Sequence, residues 1–244
     1  MNSIRSAQKQ IEAAEYEAYL RCASERLLEA VTDPQRFDPL LEAIADVKID
    51  RVLDVGCGMG QMLYPFLKFR QAFGVGLDAE PRACEVGREF YAEHVPSARV
   101  TFIHGSAERL PFPTSSFDIV NCGLALPYMD NSRVLDEVAR VLRPGGVFLL
   151  RIHHLRYYLR EFWQNLTARR FLSLVHAGRV LTVGSVYHAT GKQTDTRLFG
   201  KETFQTRWLL QRELSRRGFT VRSERPDGTP QAPAFVIAKE YQRC

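Results

Sequence analysis

Three glycines at alternate positions, Gly56, Gly58 and Gly60, follow the apolar run Val52-Leu53-Asp54-Val55. Glycine has no Cβ and accepts left-handed backbone, so such a turn lets the main chain come close to a ligand. The helix expected after the turn offers free N–H groups that favour a carboxylate. The spacing is G-x-G-x-G, without the additional residue of G-x-G-x-x-G, which argues against a pyrophosphate cradle. Eighteen residues beyond Gly60, Asp78 ends the next apolar run. At that edge of a doubly wound sheet a carboxylate can accept hydrogen bonds from both hydroxyls of a ribose.

The elements that must position these residues alternate along the chain. Apolar positions Ile11, Ala14, Ala18, Leu20, Leu27, Leu28 and Val31 have helical spacing, and a short helix is expected at Pro39–Val47. Strands are expected at 51–56, 72–78, 99–104, 117–122 and 147–152, with helices at 62–70, 81–94 and 131–142 between them. Strands and helices alternating at this spacing mean a parallel sheet covered on both faces. Residues 155–200 break the rhythm with an aromatic, Arg-rich helical stretch and a strand-like run at Arg179–Tyr187. A helix at Phe204–Arg217 and closing strands at Phe219–Ser223 and Ala234–Lys239 complete the chain.

The 244 residues suffice for one α/β domain with a modest insertion, and 45% hydrophobic composition is that of a globular protein. Five scattered cysteines without C-x-x-C or zinc spacing predict free thiols, a reducing compartment and no metal site. No leader-like or membrane-spanning segment is evident, so a cytoplasmic protein is expected. Charge is uneven. Residues 1–150 hold 16 basic and 21 acidic side chains, whereas residues 151–225 hold 15 and 5. The basic stretch could meet an anionic substrate, nucleic acid or a membrane surface, or could simply be solvated.

Leu53–Gly60, Gly76-Leu77-Asp78, Gly105–Phe112, Phe117–Val120 and Leu142–Gly146 together resemble, in order, five motifs of the class I S-adenosylmethionine-dependent methyltransferases, in the branch acting on small metabolites. The resemblance implies a Rossmann-like doubly wound, mostly parallel seven-stranded sheet with helices on both faces and an inserted cap after strand five. It implies N-terminal lid helices at 1–48, a cofactor-binding core at 49–154, a cap or substrate segment at 155–200, and the rest of the core sheet at 201–244. The cofactor would be S-adenosylmethionine. Gly56, Cys57, Gly58 and Gly60 would line its methionine portion, with Asp54 orienting the turn. Asp78 and Ala79 would meet the ribose, Ser106, Ala107 and Glu108 the adenine, and Cys122 and Gly123 the reacting methyl group. Two departures stand out: Ser106 where the family usually has Asp, and Leu126-Pro127-Tyr128 where it often has Leu-x-His.

Methyl transfer is an in-line displacement, so placement matters most, and a base helps only a hydroxyl or protonated amine. His153 and His154, after the fifth strand, are the candidate bases, and Tyr128 is a candidate wall contact or acid–base group. Tyr187 and His188 could reach the pocket from the insertion, and Tyr16 and Tyr19 could close over it. Arg156, Arg160, Arg169 and Arg170, among aromatic residues, could line a pocket for an acidic or aromatic small molecule. A nucleic-acid methyltransferase using residues 155–225 is a second possibility. Against it, Asn121-Cys122-Gly123-Leu124 lacks the tetrad that clamps a flipped base. A non-catalytic cofactor-binding protein is a third, and a nicotinamide oxidoreductase is disfavoured by the glycine spacing.

Overall fold

The computed structural model describes residues 2–194 and 201–240. Helix α1 (Asn2–Thr32) leads through a 3-10 turn (Pro34–Phe37) to α2 (Asp38–Glu42). There follow β1 (Arg51–Val55), α3 (Tyr64–Arg70), β2 (Phe73–Asp78), α4 (Pro81–His94), β3 (Val100–His104) and β4 (Phe117–Gly123). A 3-10 turn (Leu126–Tyr128) leads to α5 (Asn131–Val141) and β5 (Leu142–Arg151). Helices α6 (Leu155–Thr167), α7 (Phe171–Thr190) and α8 (Arg207–Ser215) then precede β6 (Phe219–Glu224) and β7 (Ala234–Lys239). The sheet order is β3-β2-β1-β4-β5-β7-β6. β1 to β5 run parallel, while β7 is antiparallel to both β5 and β6. This is the Rossmann-like seven-stranded architecture expected from the motifs.

Period-two alternation sorts the strand residues into two cores. Val52, Val147, Leu149 and Val236 pack beneath α1, α3 and α4. Leu53, Val55, Phe148, Leu150, Phe235 and Ile237 pack against α5 and α8. Both faces are buried, which is why these strands read as apolar runs. Asp118 ties the edges of this core together. Its carboxylate accepts from the Asp50 and Arg51 amides at 2.9 and 2.8 Å and from the Arg143 guanidinium at 2.5 Å. The motif residues Asp118 and Arg143 thus clamp β1, β4 and the bulged start of β5.

The strand-like run at 179–187 is instead the second half of α7. Its buried residues are Ala177, Val180, Val183 and Tyr187, spaced three or four apart as on one helix face. The β-branched residues imitated a strand, but tertiary packing decided the matter. Gly184 lets Phe204 approach: a Cβ there would lie 2.3 Å from the ring. No described helix is long and apolar enough to cross a membrane. The described cysteines, Cys22, Cys57, Cys84 and Cys122, are free.

Candidate active site

The turn after β1 carries left-handed backbone at Gly56, Gly58 and Gly60, with φ of 66°, 53° and 89°. The three glycines serve different ends. A Cβ on Gly56 would lie 2.3 Å from Ala125 Cβ, and one on Gly60 would lie 2.7 Å from the Phe102 ring. On Gly58 it would meet only Gln61 Oε1 at 3.4 Å and Tyr19 Oη at 3.7 Å. Gly60 therefore belongs to the packing behind the turn, where its carbonyl accepts from Tyr91 Oη at 2.7 Å. Gly58 keeps open space in front.

That space is a cavity of about 310 Å3 at the carboxyl ends of β1, β4 and β5. Asp54, Gly56, Cys57 and Gly58 form its floor with Asn121, Gly123 and Leu124. Tyr19, Ala23, Arg26 and Ala30 close it from above, spaced as one stripe along α1. A carboxyl-end crevice beside β1 and β4 is where an open α/β sheet binds its ligand.

Asp54 is buried and accepts from Asn121 Nδ2 at 2.6 Å across the β1–β4 pair. Burial, with the Asp78 charge nearby, pushes its carboxyl up to about 7 despite that hydrogen bond. A cationic ligand group would restore the charged form. Asp78 accepts from the Gly58 amide at 2.7 Å and the Glu80 amide at 2.9 Å. It thereby ties the glycine turn to the end of β2. Tyr19 is pushed up by burial first and then by Asp78; its ring stacks on Tyr16 at 5.9 Å.

Four amides of the glycine turn itself are engaged within the protein. Gly56 and Cys57 donate to the Leu77 carbonyl, Gly58 to Asp78, and Gly60 to the Cys57 carbonyl. Arg26 lines the same cavity and offers a further donor to a ligand carboxylate.

The other expected site residues are distributed unevenly. Ala79 is exposed beyond Asp78 and lies outside the cavity lining. Ser106, Ala107 and Glu108 form the turn after β3, next to Asp78, whose carbonyl accepts from Gly105 N at 2.9 Å. Ala107 is buried, Ser106 Oγ hydrogen-bonds Glu108, and Glu108 accepts from the Asp130 amide at 3.1 Å. This turn, like Asp78, lies outside the cavity lining. Cys122 points away into the core, because alternation along β4 gives its neighbours Asn121 and Gly123 to the cavity. Burial pushes its thiol up to about 12.

Tyr128 and His153 lie outside the cavity lining, with ring centroids 6.1 Å apart. His153 stacks on Tyr157 at 4.5 Å, and its Nδ1 lies 3.4 Å from Tyr158 Oη. The Tyr158 hydroxyl donates to Glu202 Oε1 at 3.0 Å, so its oxygen is left to accept from His153 Nδ1. That assigns the free lone pair to Nε2. Burial lowers the His153 pKa, keeping the ring neutral. Glu202 is held in turn by His176 at 3.3 Å. His154 is used differently: its Nδ1 accepts from the Arg156 amide at 3.2 Å as the N-cap of α6. His188, stacked on Phe204 at 4.6 Å, bonds the Gly184 carbonyl and Thr206 Oγ1. Tyr187 is buried in α7. Burial and the Glu202 charge push Tyr128 up to about 12, so it stays a neutral phenol.

Several cavity residues were not evident from the sequence: Asn121, Leu124, Arg36, Arg151 and Arg225 among them. Leu124 is a non-glycine residue at φ 66°, a conformation found where function or packing over-determines the backbone. The arginines singled out by composition, Arg156, Arg160, Arg169 and Arg170, are exposed and outside the lining.

Residues 52–146 match a family model described as a methyltransferase domain. The chain is similar to an uncharacterized methyltransferase, YcgJ, of Bacillus subtilis, at 41% identity over 43% of this chain and 41% of that protein. It is also similar to a fatty-acid O-methyltransferase of Mycolicibacterium smegmatis, at 40% identity over 52% and 45% of the two chains. In each case the match spans less than half of the relative's length. A solved S-adenosylmethionine-dependent methyltransferase from Mesorhizobium loti superposes with a TM-score of 0.56 at 19% identity, covering 82% of this chain and 96% of that one. Residues 52–146 are similar to a methyltransferase domain, and the fold is that of the solved class I S-adenosylmethionine-dependent methyltransferases. S-adenosylmethionine is the cofactor of this class.

Proposed function

We propose that the chain transfers a methyl group from S-adenosylmethionine to a small molecule. The observation that carries this reading is the cavity itself: a glycine turn held open at Gly58, with a buried, hydrogen-bonded carboxylate at Asp54 and a ceiling from α1. The residues fit the cofactor. Asp54 offers a carboxylate poised to ionise beside a cation, Gly58 leaves room for close approach, and Asp78 supplies ribose acceptors at the end of β2. When bound, the cofactor supplies an electrophilic methyl group on a sulfonium.

The chain's own residues would then orient an acceptor and exclude water. The N-terminal helices, at 1–48, act as the lid through Tyr19. His153 Nε2 is the group suited to take a proton from a hydroxyl or amine, since burial keeps the ring neutral and Tyr158 fixes its tautomer. Tyr128 supports one wall of that pocket. His154 is set aside because its ring nitrogen caps α6. Small-molecule acceptors are favoured over nucleic acid because much of the basic charge in 201–225 is paired internally. Arg217 meets Asp136 and shares Glu213 with Arg212 and Arg216, Arg207 meets Glu224, and Arg222 meets Asp46.

The test is calorimetric titration with S-adenosylhomocysteine, followed by labelled methyl transfer into a metabolite extract. Micromolar binding and a labelled small product are expected. With that product's precursor as acceptor, His153→Gln should lower kcat by roughly 100-fold or more, the usual range for a lost general base, and remove the acidic limb of the pH profile. His154→Gln should leave both near wild type. Absence of binding, or transfer only into RNA or DNA, would overturn the reading.

A further inference from the structure

We infer that the acceptor is a small anion, a molecule bearing a carboxylate or phosphate, held by a guanidinium cluster at the mouth of the cavity. This inference rests on the methyltransferase reading above. Four arginines line the same cavity as Asp54 and Gly58: Arg26 on α1, Arg36 in the 3-10 turn after it, Arg151 at the end of β5, and Arg225 just past β6. They come from four separate segments and converge only in the folded chain.

Their partners leave a surplus of positive charge. Arg225 is buried at 4% exposure and donates to both Asp227 oxygens, at 2.9 and 2.5 Å. Arg151 also donates to the Asp227 carboxylate, and to its carbonyl at 3.0 Å. One carboxylate therefore serves two guanidinium groups. Among the described residues, Arg26 donates to the Cys22 carbonyl and thiol, at 3.3 and 3.2 Å. Arg36 sits 5.9 Å from the Phe37 ring centroid and has no ion pair among the described residues.

The cofactor deepens the imbalance. Its sulfonium, ammonium and carboxylate sum to one net positive charge, and Asp54 is the acid suited to the ammonium. The cofactor carboxylate can neutralise one arginine, with Arg26 on the α1 stripe beside Tyr19 the natural claimant. Arg36, and one charge of the Arg151–Arg225 pair, still lack a counter-ion. Guanidinium groups recognise carboxylate and phosphate through paired N–H donors, and a converging set of them is a recognition site for such groups. A neutral acceptor would leave the buried Arg225 and its neighbour Arg151 with only the Asp227 carboxylate between them.

The experiment separates a metabolite extract on an anion exchanger and assays labelled methyl transfer into the retained and unretained fractions. Transfer into the retained fraction is expected, and mass analysis of the product then distinguishes carboxylate from phosphate. Transfer confined to the unretained fraction overturns this inference while the methyltransferase reading stands. No transfer into either fraction overturns both. A second arm uses Arg36→Gln, an exposed position where folding is not at stake. The acceptor KM should rise about tenfold or more, while kcat and the Kd for S-adenosylhomocysteine by calorimetry stay within twofold. If instead the Kd for S-adenosylhomocysteine rises and the acceptor KM does not, the arginines serve the cofactor and the inference fails.

Discussion

At the floor of the cavity, Asp54, Gly56, Cys57 and Gly58 come from five consecutive positions, with Asn121 and Gly123 from the strand beside them. At the mouth, Arg26, Arg36, Arg151 and Arg225 come from segments up to two hundred residues apart. The floor is acidic and tied down by backbone geometry. The mouth is basic, and two of its four arginines, Arg151 and Arg225, are held by side-chain contacts to Asp227. A ligand common to a fold class can be bound by a local motif, because the strand–turn–helix unit carries its own shape. A ligand peculiar to one protein is met by whatever side chains the loops bring to the same edge of the sheet.

The same contrast divides the arginines. Those of α8 and the turn after it face carboxylates: Arg217, for instance, pairs with Glu213 at 3.0 Å and Asp136 at 2.6 Å, cementing α8 to α5. Their count inflates the apparent basic patch without making a binding surface. The cavity arginines meet fewer carboxylates, Asp227 alone among the described residues. Net charge along the sequence could not separate the two populations, because pairing is a property of the fold.

The comparison can be broken most forcefully at Gly56. A Cβ there demands a left-handed backbone and collides with Ala125 at 2.3 Å. Gly56→Ala should cost about 3 kcal/mol or more, from roughly 1–2 for the left-handed backbone and 1–3 for overpacking. For a chain of this size that lowers Tm by roughly 6–12 °C. A melting temperature within about 2 °C of wild type would mean that the turn is not locked as described.

How far the sequence could be read follows the same division. The five parallel strands, Pro81–His94 as a helix and the closing antiparallel strands were legible, since glycine turns and two-sided apolar runs are local signals. The strand-like reading of 179–187 failed because Val180, Val183 and the neighbouring leucine are β-branched or bulky, and only contact with Phe204 reveals the helix. The cavity floor was legible where a motif is contiguous, at Asp54 to Gly58. The cavity was illegible at Asn121, whose role depends on strand pairing with Asp54, and at the four arginines. Even within the motif, spacing could not tell that Gly60 faces Phe102 rather than the ligand.

Gly58 offers a sharper comparison, since it shares its motif with Gly56 but not its surroundings. Gly58→Ala places its methyl in open cavity space, 3.4 Å from Gln61 Oε1. Stability should fall only by the backbone cost of about 1–2 kcal/mol. Affinity for S-adenosylhomocysteine, measured by calorimetry, should fall by at least an order of magnitude. Unchanged affinity would separate the cavity from the cofactor site.

The smallest expected effect tests the floor's acidity. Asp54 titrates near 7 in the folded chain because burial opposes its charge, whereas an exposed aspartate titrates near ~3.9. Between those values the folded state holds a proton that the unfolded state has released. Stability therefore falls as pH rises through the folded value, the opposite of a salt-bridged aspartate. Between pH 6 and 8 this group alone should remove about 1 kcal/mol. The urea midpoint of the ligand-free protein should shift accordingly, and Asp54→Asn should lose that part of the slope while keeping an amide in hydrogen-bonding distance of Asn121. If wild type and variant show parallel pH dependence over this range, Asp54 is ionised throughout, and the floor is a fixed anion instead of a carboxyl that awaits a cation.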